Sequence, residues 1–139
     1  MTVLLDTNVI MDALQERQPF DAEAKEILLR AQNGEFSCCF TANAATDIFY
    51  LYRKARDLQS ARQVLDFLLK TYKVVSVTHE DCISALSVLI EDFEDAIVSA
   101  CANRAGADYI VSRDVQFLRD NSPVKVIAPN DFLKILMEK

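Results

Sequence analysis

The sequence has few of the residues on which several common binding motifs depend. Only two of its 139 residues are glycines, Gly34 and Gly106, so neither a GxGxxG nor a GxxxxGK[ST] phosphate-binding loop can be present. The single histidine, His79, excludes zinc sites that need several histidines. None of the four cysteines belongs to a CxxC pair, and all four lie in apolar stretches. We therefore expect free thiols and no disulfide framework.

Long hydrophobic runs are also missing. No uncharged apolar run approaches the ~20 residues that a membrane-spanning helix needs. The first segment, MTVLLDTNVIMDAL, has no basic region and carries Asp6 inside its apolar run, which is not typical of a signal peptide. We therefore expect a cytoplasmic protein without a membrane partner. The composition, 51% apolar and 26% charged, is that of a folded chain, and the length predicts a single domain over residues 1–139.

Short apolar runs alternate with helical patterns along the chain. Buried strands are predicted at residues 3–5, 36–40, 74–77, 109–111 and 124–127. Apolar side chains recur at helical spacing in residues 42–56 and 93–105. Thr78 and Asp81 indicate a capping pair, and Asn130 is the expected N-cap of a final helix. This alternation predicts an α/β sandwich around a mostly parallel sheet of about five strands.

Acidic residues follow two of these strands where the strands end. Asp6 comes directly after residues 3–5, and Asp114 comes shortly after residues 109–111, in Ser112-Arg113-Asp114. Ligands of parallel α/β sheets bind in the crevice beyond the carboxyl ends of the strands, which makes both acids candidates for a functional site. The alternative for each is a turn or N-cap residue, because Asp favours both positions.

Four acids crowd five residues further along: Glu91, Asp92, Glu94 and Asp95. Asp92 and Asp95 share one helix face, and N-cap and N3 positions would explain these two. Such crowding costs about a few tenths of a kcal/mol per like-charged pair, which a divalent cation would offset. Asp47, beside an apolar face of the helix predicted for residues 42–56, is the fourth candidate position. Its alternative is an exposed helix residue.

Taken together, these positions indicate a site for a hard cation. Carboxylate oxygens suit Mg²⁺ or Mn²⁺, and no histidine or cysteine is placed to favour zinc. The chemistry that such a site supports is in-line attack of a metal-activated water on a phosphodiester.

In these residues the chain resembles the PIN-domain nucleases and, among them, the VapC-type toxins of bacterial toxin–antitoxin systems. The resemblance covers nearly the whole chain. It is carried by the segments LLDTNVIMDAL, TANAATDIFYLYRKAR, DFEDAIVSACA and YIVSRDVQF, in that order. It implies a three-layer α/β/α sandwich and a Mg²⁺- or Mn²⁺-dependent endoribonuclease that cuts single-stranded or loop RNA. An antitoxin protein and a homodimer are the implied partners.

The resemblance also implies roles for individual residues. The family's four catalytic acids fall on Asp6, Asp47, Asp95 and Asp114, and its small polar supporting positions fall on Asn8 and Ser112. The implied metal ligands are Asp6, Asp95 and Asp114, joined by Asp92 directly or through water. The family more often has Glu at the position of Asp47. Since Asp is one methylene shorter, a water-bridged contact is the alternative to direct coordination there.

Positive charge is concentrated in residues 53–73, which hold six basic and two acidic side chains, whereas residues 74–100 hold six acids and no Lys or Arg. Arg53 and Lys54 in this basic block, and Arg113 beside Asp114, are predicted RNA contacts. A solvated helix surface is the alternative for the block.

Two other functions remain compatible with the sequence. One is a non-catalytic PIN-fold domain that binds RNA or a partner protein, for which the Asp at position 47 is the support. The other is a Mg²⁺-binding phospho-acceptor domain of the receiver type, to which acids at strand ends and Lys125 invite comparison. The acidic cluster fits that class poorly, because it opens a helix and does not follow a strand.

Overall fold

A computed structural model of the protein describes residues 1–138, and strands alternate with helices along this part of the chain. The strands are β1 (Thr2–Leu5), β2 (Ser37–Thr41), β3 (Lys73–Val75), β4 (Tyr109–Val111) and β5 (Val126–Ile127). The helices are α1 (Thr7–Leu14), α2 (Asp21–Gln32), α3 (Ala42–Ala55), α4 (Leu58–Thr71), α5 (His79–Ser87), α6 (Phe93–Arg104), α7 (Val115–Arg119) and α8 (Pro129–Met137). No helix within the described residues is long and apolar enough to cross a membrane.

The five strands form one sheet in which every pair is parallel, in the order β3-β2-β1-β4-β5. Helices cover both faces of this sheet, so the predicted three-layer α/β/α sandwich is confirmed. Helices α1, α2, α3, α4 and α8 contribute to the core on one face, and α5, α6 and α7 contribute to the core on the other.

Strand side chains alternate between these two cores, as the period of two in a β-strand requires. Cys38 lies in the first core and its neighbour Cys39 in the second, and all four cysteines are free thiols. In β1, Val3 and Leu5 enter the first core while Leu4 enters the second. Burial on both faces explains why these strands have no polar interruptions.

The central strands β1 and β4 are neighbours in space but far apart in the chain. Leu5 is in register with Val111, so the residues that follow, Asp6 and Ser112, emerge at the same edge of the sheet. From β1 the chain adds β2 and β3 on one side, and then adds β4 and β5 on the other. The edge beyond β1 and β4 is therefore the point where the strand order reverses, which is where open α/β sheets place their ligands.

The differences from the sequence-based predictions lie at the ends of elements. Strand β2 is shifted by one residue, β3 runs from Lys73 only to Val75, and β5 keeps only the two residues that pair with β4. The prediction of Asn130 as an N-cap is wrong, because Ala128 is the N-cap and Pro129 begins α8. Proline suits that position, since its φ is already helical and its missing N–H needs no partner in the first turn.

Candidate functional site

Neighbouring polar groups hold Asp6 by hydrogen bonds at the point where β1 ends and α1 begins. The Thr7 backbone N–H donates to its Oδ1 at 2.9 Å, and the Ser112 hydroxyl donates to its Oδ2 at 2.8 Å. Asn8 bridges the two strand ends, because its Nδ2 lies 3.2 Å from Ser112 Oγ and its Oδ1 accepts from the Arg113 backbone N–H at 3.3 Å. Burial raises the pKa of Asp6, and the bonds from Ser112 and Thr7 act against this increase.

Three of the predicted acids are helix N-caps. Asp6 caps α1, Asp92 caps α6 by accepting from the Asp95 N–H at 3.0 Å, and Asp114 caps α7 by accepting from the Gln116 N–H at 2.9 Å. The capping interpretation and the functional one are thus compatible. In Asp92 and Asp114 one carboxylate oxygen makes the cap bond, which leaves the other oxygen outside that bond.

Asp95 stands in the first turn of α6 and is 8% exposed. Burial is the main cause that raises its pKa to about 7, and the charges of Asp6, Asp92 and Asp114 add to the increase. The structure therefore brings these four carboxylates within electrostatic range of one another, although Asp6, Asp95 and Asp114 are separated by long stretches of sequence.

The four acids line one open cleft of about 280 Å³ beyond the carboxyl ends of β1 and β4. The other lining residues are Thr7, Asn8, Met11, Arg17, Leu51 and Glu94. The carboxylate donors are all oxygen, which fits Mg²⁺ or Mn²⁺ and disfavours zinc. Among residues 1–138, however, no three His, Cys, Asp or Glu side chains are already grouped closely enough to hold a metal ion.

Asp47 lies beside this cleft and does not line it. It lines a neighbouring hollow with Thr46, Phe93 and Glu94. Glu94 lines both spaces and interacts with Asp47. Partial desolvation, followed by the effect of the Asp47 carboxyl, raises the pKa of Glu94 to about 7. Glu94, which the sequence analysis did not assign to the site, therefore connects Asp47 to the other acids.

Arg113 forms an ion pair with a buried carboxylate. Its Nε and Nη2 both donate to Asp12, which is 1% exposed, and its guanidinium carbon lies 4.0 Å from the centre of the Phe20 ring. The RNA contact expected of Arg113 stays a prediction, and the bonds to Asp12 already occupy two of its donor nitrogens. Asp12 was not recognised in the sequence, because nothing in α1 alone shows which arginine will reach it.

The basic residue that lines the cleft is Arg17, on the loop after α1. Arg53 and Lys54 are exposed on the last turn of α3 and line neither the cleft nor the hollow beside Asp47. Their assignment as RNA contacts remains a prediction. The only signal that could have indicated Arg17 is its position just beyond the helix that Asp6 opens.

Comparisons with known proteins agree with this geometry. Residues 2–116 match the model of the PIN domain family. No curated protein sequence gives a significant match. The structure of VapBC2 from Rickettsia felis, bound to a promoter DNA fragment, has a TM-score of 0.72 at 14% identity and covers 92% of this chain and 98% of its own.

Two further solved structures show the same likeness. VapC20 of Mycobacterium tuberculosis, a toxin that cleaves the sarcin-ricin loop, has a TM-score of 0.70 at 15% identity, over 86% of this chain and 95% of its own. A toxin–antitoxin complex from Klebsiella pneumoniae has a TM-score of 0.67 at 19% identity, over 91% and 97% of the two chains. Identities this low establish a shared fold.

Proposed function

The chain belongs to the PIN domain family, and on that premise we propose that it is a Mg²⁺- or Mn²⁺-dependent endoribonuclease that hydrolyses single-stranded or loop RNA. The observation that carries this proposal is the cleft beyond β1 and β4, lined by Asp6, Asp92, Asp95 and Asp114. These carboxylates repel one another, which raises the free energy of the folded protein when no cation is bound. Around a divalent cation the same carboxylates are favourable ligands.

Asp6, Asp95 and Asp114 are the residues that would hold the cation, and Asp92 would join them directly or through water. When bound, such a cation supplies a water of lowered pKa and offsets negative charge on the phosphate oxygens. Ser112 orients Asp6 through the bond described above, and Asn8 Nδ2 donates to the same Oδ2 at 3.4 Å. The N-termini of α1 and α6 begin at the cleft, so the positive ends of their helix dipoles favour an approaching phosphate.

The physiological role that we propose is that of a toxin paired with an antitoxin protein. VapBC2 from Rickettsia felis and the Klebsiella pneumoniae complex, which share this fold, are toxin–antitoxin assemblies. A homodimer is the second proposed assembly. Phe67 and Leu69 on α4 are about half exposed and offer apolar surface for a second copy. A small DNA-binding protein encoded beside this gene would support the antitoxin pairing.

Cleavage of fluorescently labelled single-stranded RNA tests the enzyme proposal. We expect cleavage with Mg²⁺ or Mn²⁺, none with a chelator, and none by Asp6→Asn or Asp95→Asn. Asp66→Asn is the matched control, because this exposed acid on α4 lines none of the spaces described above. Cleavage that persists in the chelator and in both site variants would contradict the proposal.

A non-catalytic domain that binds RNA or protein is the second candidate function. One observation favours it: Asp47, which the resemblance places among the catalytic acids, lies outside the cleft. Calorimetric titration with Mn²⁺ separates the two candidates. Binding that is lost in Asp95→Asn supports the nuclease, and no binding by the wild-type protein supports the second candidate.

A further inference from the structure

A second groove adjoins the acidic cleft and shares Arg17 with it. This groove, of about 430 Å³, lies between the end of α1 with its following loop and the last turns of α3. It is lined by Leu14, Gln15, Glu16, Arg17, Tyr52, Ala55 and Arg56, and we call it the arginine groove.

Helix α3 forms a continuous wall along both spaces. Leu51 lines the cleft, and Ala55, one turn later on the same helix face, lines the arginine groove. The opposite wall is attached to α3, because Gln15 Nε2 donates to the Leu51 carbonyl oxygen at 3.3 Å. The groove is therefore an extension of the cleft, and a strand leaving the acids along α3 would enter it.

The two arginines of the groove are held by neighbouring side chains. Arg17 donates from Nε at 3.1 Å and from Nη2 at 2.8 Å to Gln15 Oε1, and its side chain is 35% exposed. The guanidinium carbon of Arg56 lies 5.9 Å from the centre of the Tyr52 ring. Cations that are held in place and partly exposed lose less conformational entropy when they bind phosphate.

Carboxylates act on both of these cations. Asp12 Oδ1, which is also bonded by Arg113, lies 3.9 Å from Arg17 Nη1. Glu16 lies within electrostatic range of Arg56, and its Oε2 accepts from Lys25 Nζ at 2.8 Å. Asp57, which caps α4, also acts on Arg56 but bonds to the Ser60 backbone. Lys25 thus offsets Glu16, and the groove presents positive charge beside a cleft that is acidic.

We propose that the arginine groove binds the RNA strand on one side of the scissile phosphodiester, with Arg17 contacting the phosphate next to the cleft and Arg56 a more distant one. This inference rests on the proposed ribonuclease function and adds the path of the substrate. A single RNA strand fits the observations, because the groove continues the cleft and its charge is complementary to a phosphate backbone.

The test is the fluorescence anisotropy of a short, labelled single-stranded RNA of mixed sequence, with all variants placed in an Asp95→Asn background in Mg²⁺ so that RNA is bound without being cleaved. We expect Arg17→Ala and Arg56→Ala each to weaken binding by about three- to tenfold. Each should also make the slope of log K against log salt shallower by about 0.7, the value for one phosphate contact with a single strand.

Two further variants sharpen this experiment. Arg119→Ala is the matched control, because Arg119 is an exposed arginine at the end of α7 that lines neither the groove nor the cleft. It should leave binding unchanged. Glu16→Gln should act in the opposite direction and tighten binding, because it removes the carboxylate that faces Arg56 and frees Lys25.

The proposal is overturned if Arg119→Ala weakens binding as much as Arg56→Ala, since binding would then follow general charge. It is also overturned if Arg17→Ala and Arg56→Ala bind normally, or if the Asp95→Asn protein binds no RNA. Arg56 is exposed, so its variant should melt like the parent and report on binding alone. The nuclease function is judged separately, from cleavage and Mn²⁺ binding by the wild-type protein.

Discussion

Asp81 and Asp95 occupy the same place in two similar helix starts, yet their surroundings are opposite. The N-cap and first three residues of α5 are Thr78-His79-Glu80-Asp81, and those of α6 are the corresponding segment DFED, residues 92–95. Both aspartates stand three residues after the N-cap, and both are buried, Asp81 at 3% exposed and Asp95 at 8%. Local sequence therefore gives each the same helical position and nearly the same burial.

Their partners differ. Asp81 accepts from Nε and Nη2 of Arg104, at the end of α6, and from the Thr78 backbone N–H at 2.9 Å. The Arg104 guanidinium holds the pKa of Asp81 well below its usual range. Asp95 has acids around it, and its pKa is raised. The comparison shows that tertiary structure decides whether a buried carboxylate gains a cation as its partner or faces further acids, and the second arrangement is typical of functional sites.

The largest effect that we expect is on Asp95. Asp95→Asn should reduce RNA cleavage by at least about a hundredfold, because one of the carboxylates proposed to hold the cation is lost. The same substitution should stabilise the metal-free protein, since it removes a charge from a repelling group. At pH 8 with a chelator, relief of about 1 kcal/mol would raise Tm by roughly 3–5 °C for a chain of this size. A lower Tm in the variant would show that Asp95 is structural.

Asp81→Asn should have the opposite outcome. It leaves the Arg104 guanidinium without its carboxylate partner, and we expect a loss of about 1–3 kcal/mol in the free energy of unfolding. Urea unfolding followed by circular dichroism measures this loss. Cleavage per folded molecule should remain near that of the wild type, because Asp81 lines none of the spaces described above. A variant as stable as the wild type would contradict the stabilising role that we give to the ion pair of Asp81 with Arg104.

The same pair predicts a pH dependence. The pKa of Asp81 is lower in the folded protein than the ~3.9 of an unfolded chain. Its contribution to stability is therefore fully present above about pH 4 and is lost as the pH falls through the folded value. The stability difference between the wild type and Asp81→Asn should be large at pH 7 and smaller at pH 3. A difference that is constant between these pH values would contradict the ion pair.

The smallest effect concerns the glutamates that precede the two aspartates. Both glutamates are exposed, but Glu94 lines the cleft and interacts with Asp47, whereas Glu80 lines neither the cleft nor the hollow. We expect Glu94→Gln to weaken Mn²⁺ binding by about three- to tenfold and Glu80→Gln to leave it unchanged, as measured by calorimetry. Equal Mn²⁺ affinity in the wild type and Glu94→Gln would place Glu94 outside the metal site. If only Asp47→Asn lost affinity, Asp47 would be the residue that contributes to metal binding.

Much of this architecture could be predicted from the order of residues. Continuous apolar strands alternating with amphipathic helices indicated the parallel sheet, and the acids that follow β1 and β4 were expected at its carboxyl edge. The capping pair of Thr78 and Asp81 is confirmed as a capping box. The membership of Asp92 in the cleft also agrees with its predicted position one turn before Asp95.

Other features depended on contacts between distant segments. Arg113 is adjacent to Asp114 in sequence but pairs with Asp12, and Arg17 lines the cleft although no motif marks it. The resemblance placed Asp47 among the catalytic acids. In the structure Asp47 lies outside the cleft and interacts with Glu94, which lines it. By itself the sequence determined which segments become strands, helices and caps, because those choices depend on local backbone and side-chain periodicity. Only the tertiary structure decided which buried acids gain a cation and which face one another, because electrostatic partners come from segments that the fold brings together.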